Sequence, residues 1–151
     1  MIEVERQHLP YSPAQLFELV ADVAKYPEFL PWVTDVQLVR RDDNHKLLVR
    51  MTIASGPLRR TFTTLGILHP PDWIEISSHD PLFARFHQRW TFTATSNRST
   101  AVEYFVDIQL RSRLLQILVE ASFVRSAAAT MAAFKRRARE LYGDATDGAL
   151  I

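Results

Sequence analysis

The sequence has no cysteine and only four glycines among its 151 residues. Without cysteine the chain cannot form disulfides, thiolate metal sites, iron–sulfur clusters or a thiol nucleophile. The scarcity of glycine argues against a phosphate-binding loop, and no GxGxxG, Walker or GxSxG pattern occurs. The five histidines show neither HxH nor HExxH spacing, which disfavours a metal site. We therefore assign no catalytic residue, no metal ligand and no required cofactor.

Long apolar runs and an excess of charge of one sign are also missing. No stretch reaches the roughly 18 uninterrupted apolar residues of a transmembrane helix. The formal net charge is +1, so we expect no general attraction to nucleic acid and no DNA binding. The N-terminal residues are charged where a secretory signal needs an apolar core. We expect a bacterial, cytoplasmic protein, with a peripheral place on the inner membrane as an alternative and the mitochondrial matrix only if a leader is missing.

The first 24 residues contain signals for a strand and a helix. Residues 2–7 alternate in character, which predicts a half-buried strand that ends at Pro10. Ser12 and Gln15 have the spacing of a capping box, in which each side chain bonds the backbone of the other. Apolar residues then recur at helical spacing, which predicts a helix over 14–24.

A period of two dominates the middle of the chain and predicts six further strands. They lie near 33–40, 46–54, 58–69, 73–78, 86–95 and 101–110, with turn residues between them. Most of the connections are too short for helical crossovers, so the strands should form antiparallel hairpins.

The last part of the chain has helical periodicity. Ser112 is the predicted cap of a helix that runs from Arg113 to about Tyr142, where Gly143 should end it. Such a helix would be about 43 Å long, far longer than the average globular helix. The predicted sheet is the surface available to cover its apolar face, and the sheet must curl to do so.

Three segments carry a family resemblance: YSPAQLFELVADVAKYPEFLPWV, QRWTF and AFKRRARELYG. With the order of elements, they resemble the START-like helix-grip superfamily, and within it the coenzyme Q-binding, polyketide cyclase-like branch that also contains the bacterial ribosome-association toxin. The resemblance implies a single α+β domain over 1–143, in which a curled antiparallel sheet of six to seven strands wraps a long C-terminal helix and two short helices follow the first strand. Residues 144–151 should form a flexible tail. It also implies a deep apolar cavity for a lipid or quinone.

An aromatic knot is the first candidate for part of that cavity. Tyr26, Phe29, Leu30 and Trp32 fall within seven positions that include two prolines. The knot would form a short helical turn or an ordered loop, acting either as a plug that completes the core or as a lid over a ligand. Together with inward-facing positions on strands and helices, the predicted cavity residues are Phe17, Val20, Tyr26, Phe29, Leu30, Trp32, Phe62, Trp90, Phe92, Tyr104, Val106, Ile108, Val124 and Met131.

Basic residues form a second set of candidates. Lys135, Arg136, Arg137 and Arg139 lie near the end of the predicted long helix, where cations stabilise the helix dipole. The alternatives are contact with anionic lipid headgroups or with ribosomal RNA. Arg59, Arg60, Arg85, Arg89, His79 and His87 lie on or beside strands, where they would be solvated unless one points inward to a ligand head group.

The function that we expect from these features is non-catalytic binding of a hydrophobic small molecule, ubiquinone or a related lipid, as a carrier that supports respiratory electron transport. One alternative is association with the large ribosomal subunit. Another is a polyketide cyclase or aromatase, whose acid and base would come from Asp22, Glu28, Asp35, Tyr26 or His79.

Overall fold

The fold consists of one seven-stranded antiparallel sheet and a set of short helices on its concave face. The computed structural model describes residues 1–43, 45–56, 58–96, 98–121 and 126–143. The strands are β1 (Ile2–Leu9), β2 (Val33–Asp42), β3 (Lys46–Ser55), β4 (Leu58–His69), β5 (Trp73–Ser77), β6 (Phe83–Ser96) and β7 (Ser99–Leu110). Their order across the sheet is β1-β7-β6-β5-β4-β3-β2. The predicted strands, their antiparallel pairing and the α+β class are confirmed.

The first helix begins with the predicted capping box. The Ser12 Oγ accepts a hydrogen bond from the backbone N–H of Gln15 at 3.2 Å, and the Gln15 Oε1 accepts one from the N–H of Ser12 at 3.0 Å. Helix α1 spans Pro13–Ala21, a few residues shorter than predicted, and a 3₁₀ helix follows over Val23–Glu28. The aromatic knot therefore begins as a short helical turn, as its prolines indicated.

The prediction of one long C-terminal helix is wrong. The structure has two helices, α2 (Arg113–Glu120) and α3 (Ala127–Tyr142). At the start of α3, the Ser126 Oγ accepts a hydrogen bond from the N–H of Ala129 at 3.1 Å. The Glu3 Oε1 accepts one from the N–H of Ala127 at 2.6 Å. The apolar periodicity does not reveal this second N-terminus, because the carboxylate that supports it comes from β1. Val124 and the predicted tail 144–151 lie outside the described residues.

Alternation along β3 to β7 gives the sheet one mostly apolar and one mostly polar face, whereas in β1 the apolar Ile2 and Val4 are exposed. The concave face is apolar and is covered by α1, α2 and α3, while ion pairs lie across the other face. Arg85 pairs with Asp107 at 3.3 Å, and Arg89 pairs with Glu75 at 3.1 Å. Arg89 thus points outward, away from the buried Trp90 that follows it. No helix in the described part of the chain is long and apolar enough to cross a membrane.

The junction of β1 and α1 depends on a buried hydroxyl. Thr100 is fully buried and its Oγ1 donates to the backbone carbonyl of Tyr11 at 2.7 Å. We expect Thr100→Val to lower the free energy of unfolding by about 1–3 kcal/mol, because the shape is kept and a buried acceptor loses its partner. Urea denaturation measures the change. The matched control is Thr93→Val at an exposed position of β6, and equal midpoints for the two variants would contradict the assigned role.

Candidate functional site

A cavity of about 160 Å³ lies between the concave face of the sheet and the helices. Its walls are almost entirely apolar and come from β3 to β7, α1, the 3₁₀ helix, α2 and α3. Nine of the predicted cavity residues line it: Val20, Tyr26, Leu30, Trp32, Phe62, Trp90, Tyr104, Val106 and Ile108. Their role in holding a ligand stays a prediction.

Four other predicted cavity residues are not on the wall that the described residues form. Phe17 and Phe92 pack edge-on against each other, with ring centroids 6.0 Å apart, in the core behind the cavity. Met131 is almost fully buried in the same core, and the Phe29 ring packs against that of Phe134 on α3, with centroids 5.1 Å apart. Inward alternation identified the apolar face correctly but could not separate the filled part of the core from the unfilled part.

Phe134 organises the aromatic end of the cavity. Its ring lies edge-on to three others, with centroid distances of 4.9 Å to Trp90, 5.1 Å to Phe29 and 5.4 Å to Tyr26. Edge-to-face pairs of this kind each add about 0.5–1.5 kcal/mol beyond the burial of apolar area. The knot is therefore held to α3 as a packed end wall.

Tyr26 fixes the knot to α1 through its hydroxyl, which donates to the backbone carbonyl of Val20. Burial, with smaller contributions from Tyr104 and Asp22, raises the pKa of Tyr26 far above its usual range. The phenol therefore keeps its proton and its hydrogen bond at ordinary pH. This geometry matches the plug interpretation of the knot, while movement of the knot as a lid stays a prediction.

A polar pair interrupts the apolar wall. The Gln88 Nε2 donates to the Tyr104 Oη at 2.8 Å, and both residues line the cavity. Burial, and then the charge of Glu3, raises the pKa of Tyr104, so its hydroxyl stays protonated. Among the described residues this hydroxyl proton has no acceptor. Tyr104 can therefore donate a hydrogen bond to a bound molecule.

Two further lining residues bear on what the cavity can hold. Gly66 lies on the concave face of β4, and a Cβ added there would approach Leu47 at 3.8 Å, an ordinary contact. A side chain is therefore missing where one would fit. Arg60 also lines the cavity. Because it is exposed, unlike the other lining residues that the structure describes, the cavity reaches the surface beside it. We call this opening, beside Arg60 and α2, the mouth.

The four basic residues near the end of α3 do not form one solvated group. Lys135, Arg136 and Arg139 are exposed, but only 16% of the Arg137 side chain is. Arg137 pairs with Glu28 at 2.8 Å and stacks its guanidinium 5.3 Å from the ring centre of Phe29. The prediction of Arg137 as a surface contact is therefore wrong, because the side chain folds back onto the knot.

The same ion pair perturbs one carboxyl. A hydrogen bond from Arg137, aided by Lys25, holds the pKa of Glu28 below its usual value. A carboxyl whose pKa is lowered by folding stabilises the fold at pH values above its ordinary pKa. This stabilisation is lost as the pH falls through the lowered pKa. Since Glu28 is solvent-exposed, solvent screens the effect.

The residues considered for acid–base chemistry do not meet in the cavity. Of Asp22, Glu28, Asp35, Tyr26 and His79, Tyr26 alone lines the described cavity, and its hydroxyl is already bonded to Val20. No group of three or more His, Asp or Glu able to hold a metal occurs within the described ranges.

Three of the residues described above were not among the predicted cavity residues. Gln88 stands two positions before Trp90, so the alternation in QRWTF places both on the same face. Gly66 interrupts an otherwise substituted strand, which often marks close approach of a ligand or backbone. Phe134 lies within the helical segment predicted at the C-terminus, but nothing in the sequence marks it as the centre of the aromatic contacts.

Known protein sequences resemble the chain over most of its length. The family described as polyketide cyclase / dehydrase and lipid transport matches residues 9–135. The ribosome association toxin RatA of Pseudomonas aeruginosa is 32% identical over 135 residues, covering 89% of this chain and 93% of the relative. The mitochondrial coenzyme Q-binding protein COQ10 of Dictyostelium discoideum is 24% identical over 140 residues, covering 91% of this chain and 68% of the relative.

Solved structures share the fold. The solution structure of an 18 kDa protein from Caulobacter crescentus is 31% identical, has a TM-score of 0.74 and is covered to 99% by 95% of this chain. A START superfamily protein from Mycobacterium smegmatis matches at a TM-score of 0.75 with 15% identity, over 93% of this chain and 98% of that one, which shows the fold alone. Since the family match extends from the end of β1 into α3 and so includes most of the cavity, the chain belongs to the polyketide cyclase / dehydrase and lipid transport family.

Proposed function

We propose that the protein binds a neutral hydrophobic molecule with a carbonyl-bearing ring, ubiquinone or a related isoprenoid quinone, and carries it to respiratory electron transport. The observation that carries the proposal is the hydrogen-bonded pair Gln88–Tyr104 in a mostly apolar wall. A neutral phenol that keeps its proton is a good donor to a neutral carbonyl oxygen. Apolar walls with a few oriented polar groups are the usual form of a small-molecule site.

The size of the cavity supports a ring as the part that is enclosed. A dry cavity of about 150 Å³ in another protein holds benzene, and the volume here is about 160 Å³. One quinone ring fits such a space, whereas an isoprenoid tail does not. The tail would therefore leave through the mouth beside Arg60, or the walls would move apart to admit it.

The carrier role is supported by the family description, which includes lipid transport, and by the likeness to a coenzyme Q-binding protein. The direct experiment is to purify the protein from its native host and identify extracted lipids by mass spectrometry. We expect a quinone in near-stoichiometric amount. A monodisperse protein that carries no lipid and sediments with ribosomes would contradict the proposal.

Filling the cavity at Gly66 tests its use without breaking the fold. We expect Gly66→Val to keep or raise the melting temperature, because its Cβ meets no close neighbour. The affinity for a short-tail quinone should fall at least about tenfold, since ring and side chain compete for one volume and overpacking typically costs about 1–3 kcal/mol. Gly66→Ala should cause a smaller loss, and unchanged binding by the valine variant would place the ligand elsewhere.

Removing one hydroxyl tests the head-group contact. We expect Tyr104→Phe to weaken binding of a short-tail quinone about threefold to tenfold, the usual net value of one hydrogen bond. Quenching of tryptophan fluorescence can measure it, because the Trp90 ring lies 4.3 Å from that of Tyr104. The control is Tyr142→Phe, whose hydroxyl donates to the Gln15 carbonyl outside the cavity. Equal affinities for the two variants would rule out the carbonyl contact.

A second function, association with the large ribosomal subunit, is supported by the likeness to RatA over nearly the whole chain. It would use the exposed end of α3, where Lys135 and Arg136 reach solvent. Phosphate contacts of such residues release counterions and make binding strongly dependent on salt. An anionic membrane surface is the alternative partner that the sequence analysis gave for the same residues.

Charge reversal tests the ribosomal partner. We expect Lys135→Glu with Arg136→Glu to reduce co-sedimentation with the large subunit and to lower the salt slope of binding by about two, one for each phosphate contact. Arg137 is left intact because it holds the knot. The matched control reverses Arg40 and Arg41, which are exposed on β2. A control that loses as much binding would show that the effect is general electrostatics.

A further inference from the structure

Helix α2 presents its larger apolar side chains to solvent. It buries Gln116 and Val119, whereas Leu114 is 68% exposed, Ile117 64% and Leu118 47%. Single exposed apolar residues are ordinary, but three on one eight-residue helix form a patch, and exposed patches mark interaction sites. We call these three residues the α2 patch.

The α2 patch lies at the mouth of the cavity. Leu115 and Val119 of the same helix line the cavity together with Arg60. Val119 also belongs to a small apolar cluster with Leu58 and Phe62, which joins α2 to the start of β4. The α2 patch is thus on the outer face of the helix whose inner face closes the cavity beside the mouth.

Four exposed arginines are close in the chain to residues that line this end of the cavity. Arg59 and Arg60 follow Leu58 on β4, while Arg111 and Arg113 flank the N-terminus of α2. All four are exposed, and none makes an ion pair with another described residue. The carboxylate of α2 itself, Glu120, is at the far end of the helix.

We propose that the α2 patch and these four arginines dock the mouth onto an anionic lipid bilayer. Aliphatic side chains of an amphipathic helix enter the boundary between headgroups and acyl chains, and arginines bind the lipid phosphates. This inference rests on the proposed ligand-binding function, because its consequence is exchange of an apolar molecule with the bilayer without passage through water.

The surface at α2 fits a bilayer better than it fits RNA. It also suits a bilayer better than the basic end of α3 does. RNA offers phosphates to arginine but no apolar phase for aliphatic chains, and the α2 patch contains no aromatic residue for base stacking. At the end of α3, Lys135 and Arg136 are accompanied by a single strongly exposed aliphatic residue in the described range, Leu141. Charge and apolar surface coincide at α2.

Vesicle flotation tests the docking. The wild-type chain should bind vesicles of phosphatidylcholine with phosphatidylglycerol and bind phosphatidylcholine alone only weakly. Ile117→Ser with Leu118→Ser should lower binding at least about tenfold, because two aliphatic chains no longer enter the bilayer. Arg111→Gln with Arg113→Gln should lower it about fivefold per arginine, and only on the anionic vesicles.

Matched controls separate docking from folding and from ligand binding. Leu38 and Val39 are each 49% exposed on β2, so Leu38→Ser with Val39→Ser removes similar apolar surface away from the mouth and should leave flotation unchanged. Short-tail quinone binding in vesicle-free solution should be the same in the α2 variants as in the wild type. That assay tests the cavity, so loss of docking and loss of the ligand site are distinguishable.

Two results would overturn the proposal. One is flotation that the α2 variants do not change, or that is equal on neutral and anionic vesicles. The other is loss of ribosome co-sedimentation in the arginine variant with unchanged flotation, which would assign these arginines to RNA.

Discussion

The packing of α3 against the aromatic knot is the contact on which the rest of the structure depends. Phe134 lies within 5.4 Å, centroid to centroid, of Tyr26, Phe29 and Trp90, and so joins α3, the 3₁₀ segment and the sheet. Arg137, three residues later on α3, adds its stacking contact to Phe29. Without these contacts, nothing would hold α3 and the knot over the concave face of the sheet. The cavity would then collapse or fill with water.

The chemical character of the cavity follows from the exclusion of charged side chains from its interior. Its charged side chain, Arg60, is at the mouth, while the ionisable groups deeper inside, Tyr26 and Tyr104, are phenols whose pKa values are raised by burial. Burying an unpaired charge is so costly that a charged ligand would have to bring its own partner. The walls therefore discriminate by charge first and by shape second.

Local signals predicted most of the fold, and contacts between distant segments account for what was missed. The period-two pattern and the Ser12 capping box need only neighbouring residues, and both predictions are confirmed. The start of α3 combines a local cap by Ser126 with a hydrogen bond to Glu3, more than a hundred residues away; apolar periodicity registers neither, so the prediction of a single long helix was wrong. Likewise, alternation places Phe92 and Gln88 on the same face, but only packing decides that Phe92 joins the core and Gln88 lines the cavity.

The break between α2 and α3 gives the two ends of the cavity unequal local stability. Lifting α2 would break the hydrogen bond from the Leu110 N–H to the Gln116 Oε1 and expose Val119, at a cost of about 2–4 kcal/mol. That is less than the roughly 5–15 kcal/mol of global unfolding, so this end can open while the aromatic end stays closed. The volume available to a guest would then be set by the position of α2 at one end and by the packed aromatic rings at the other.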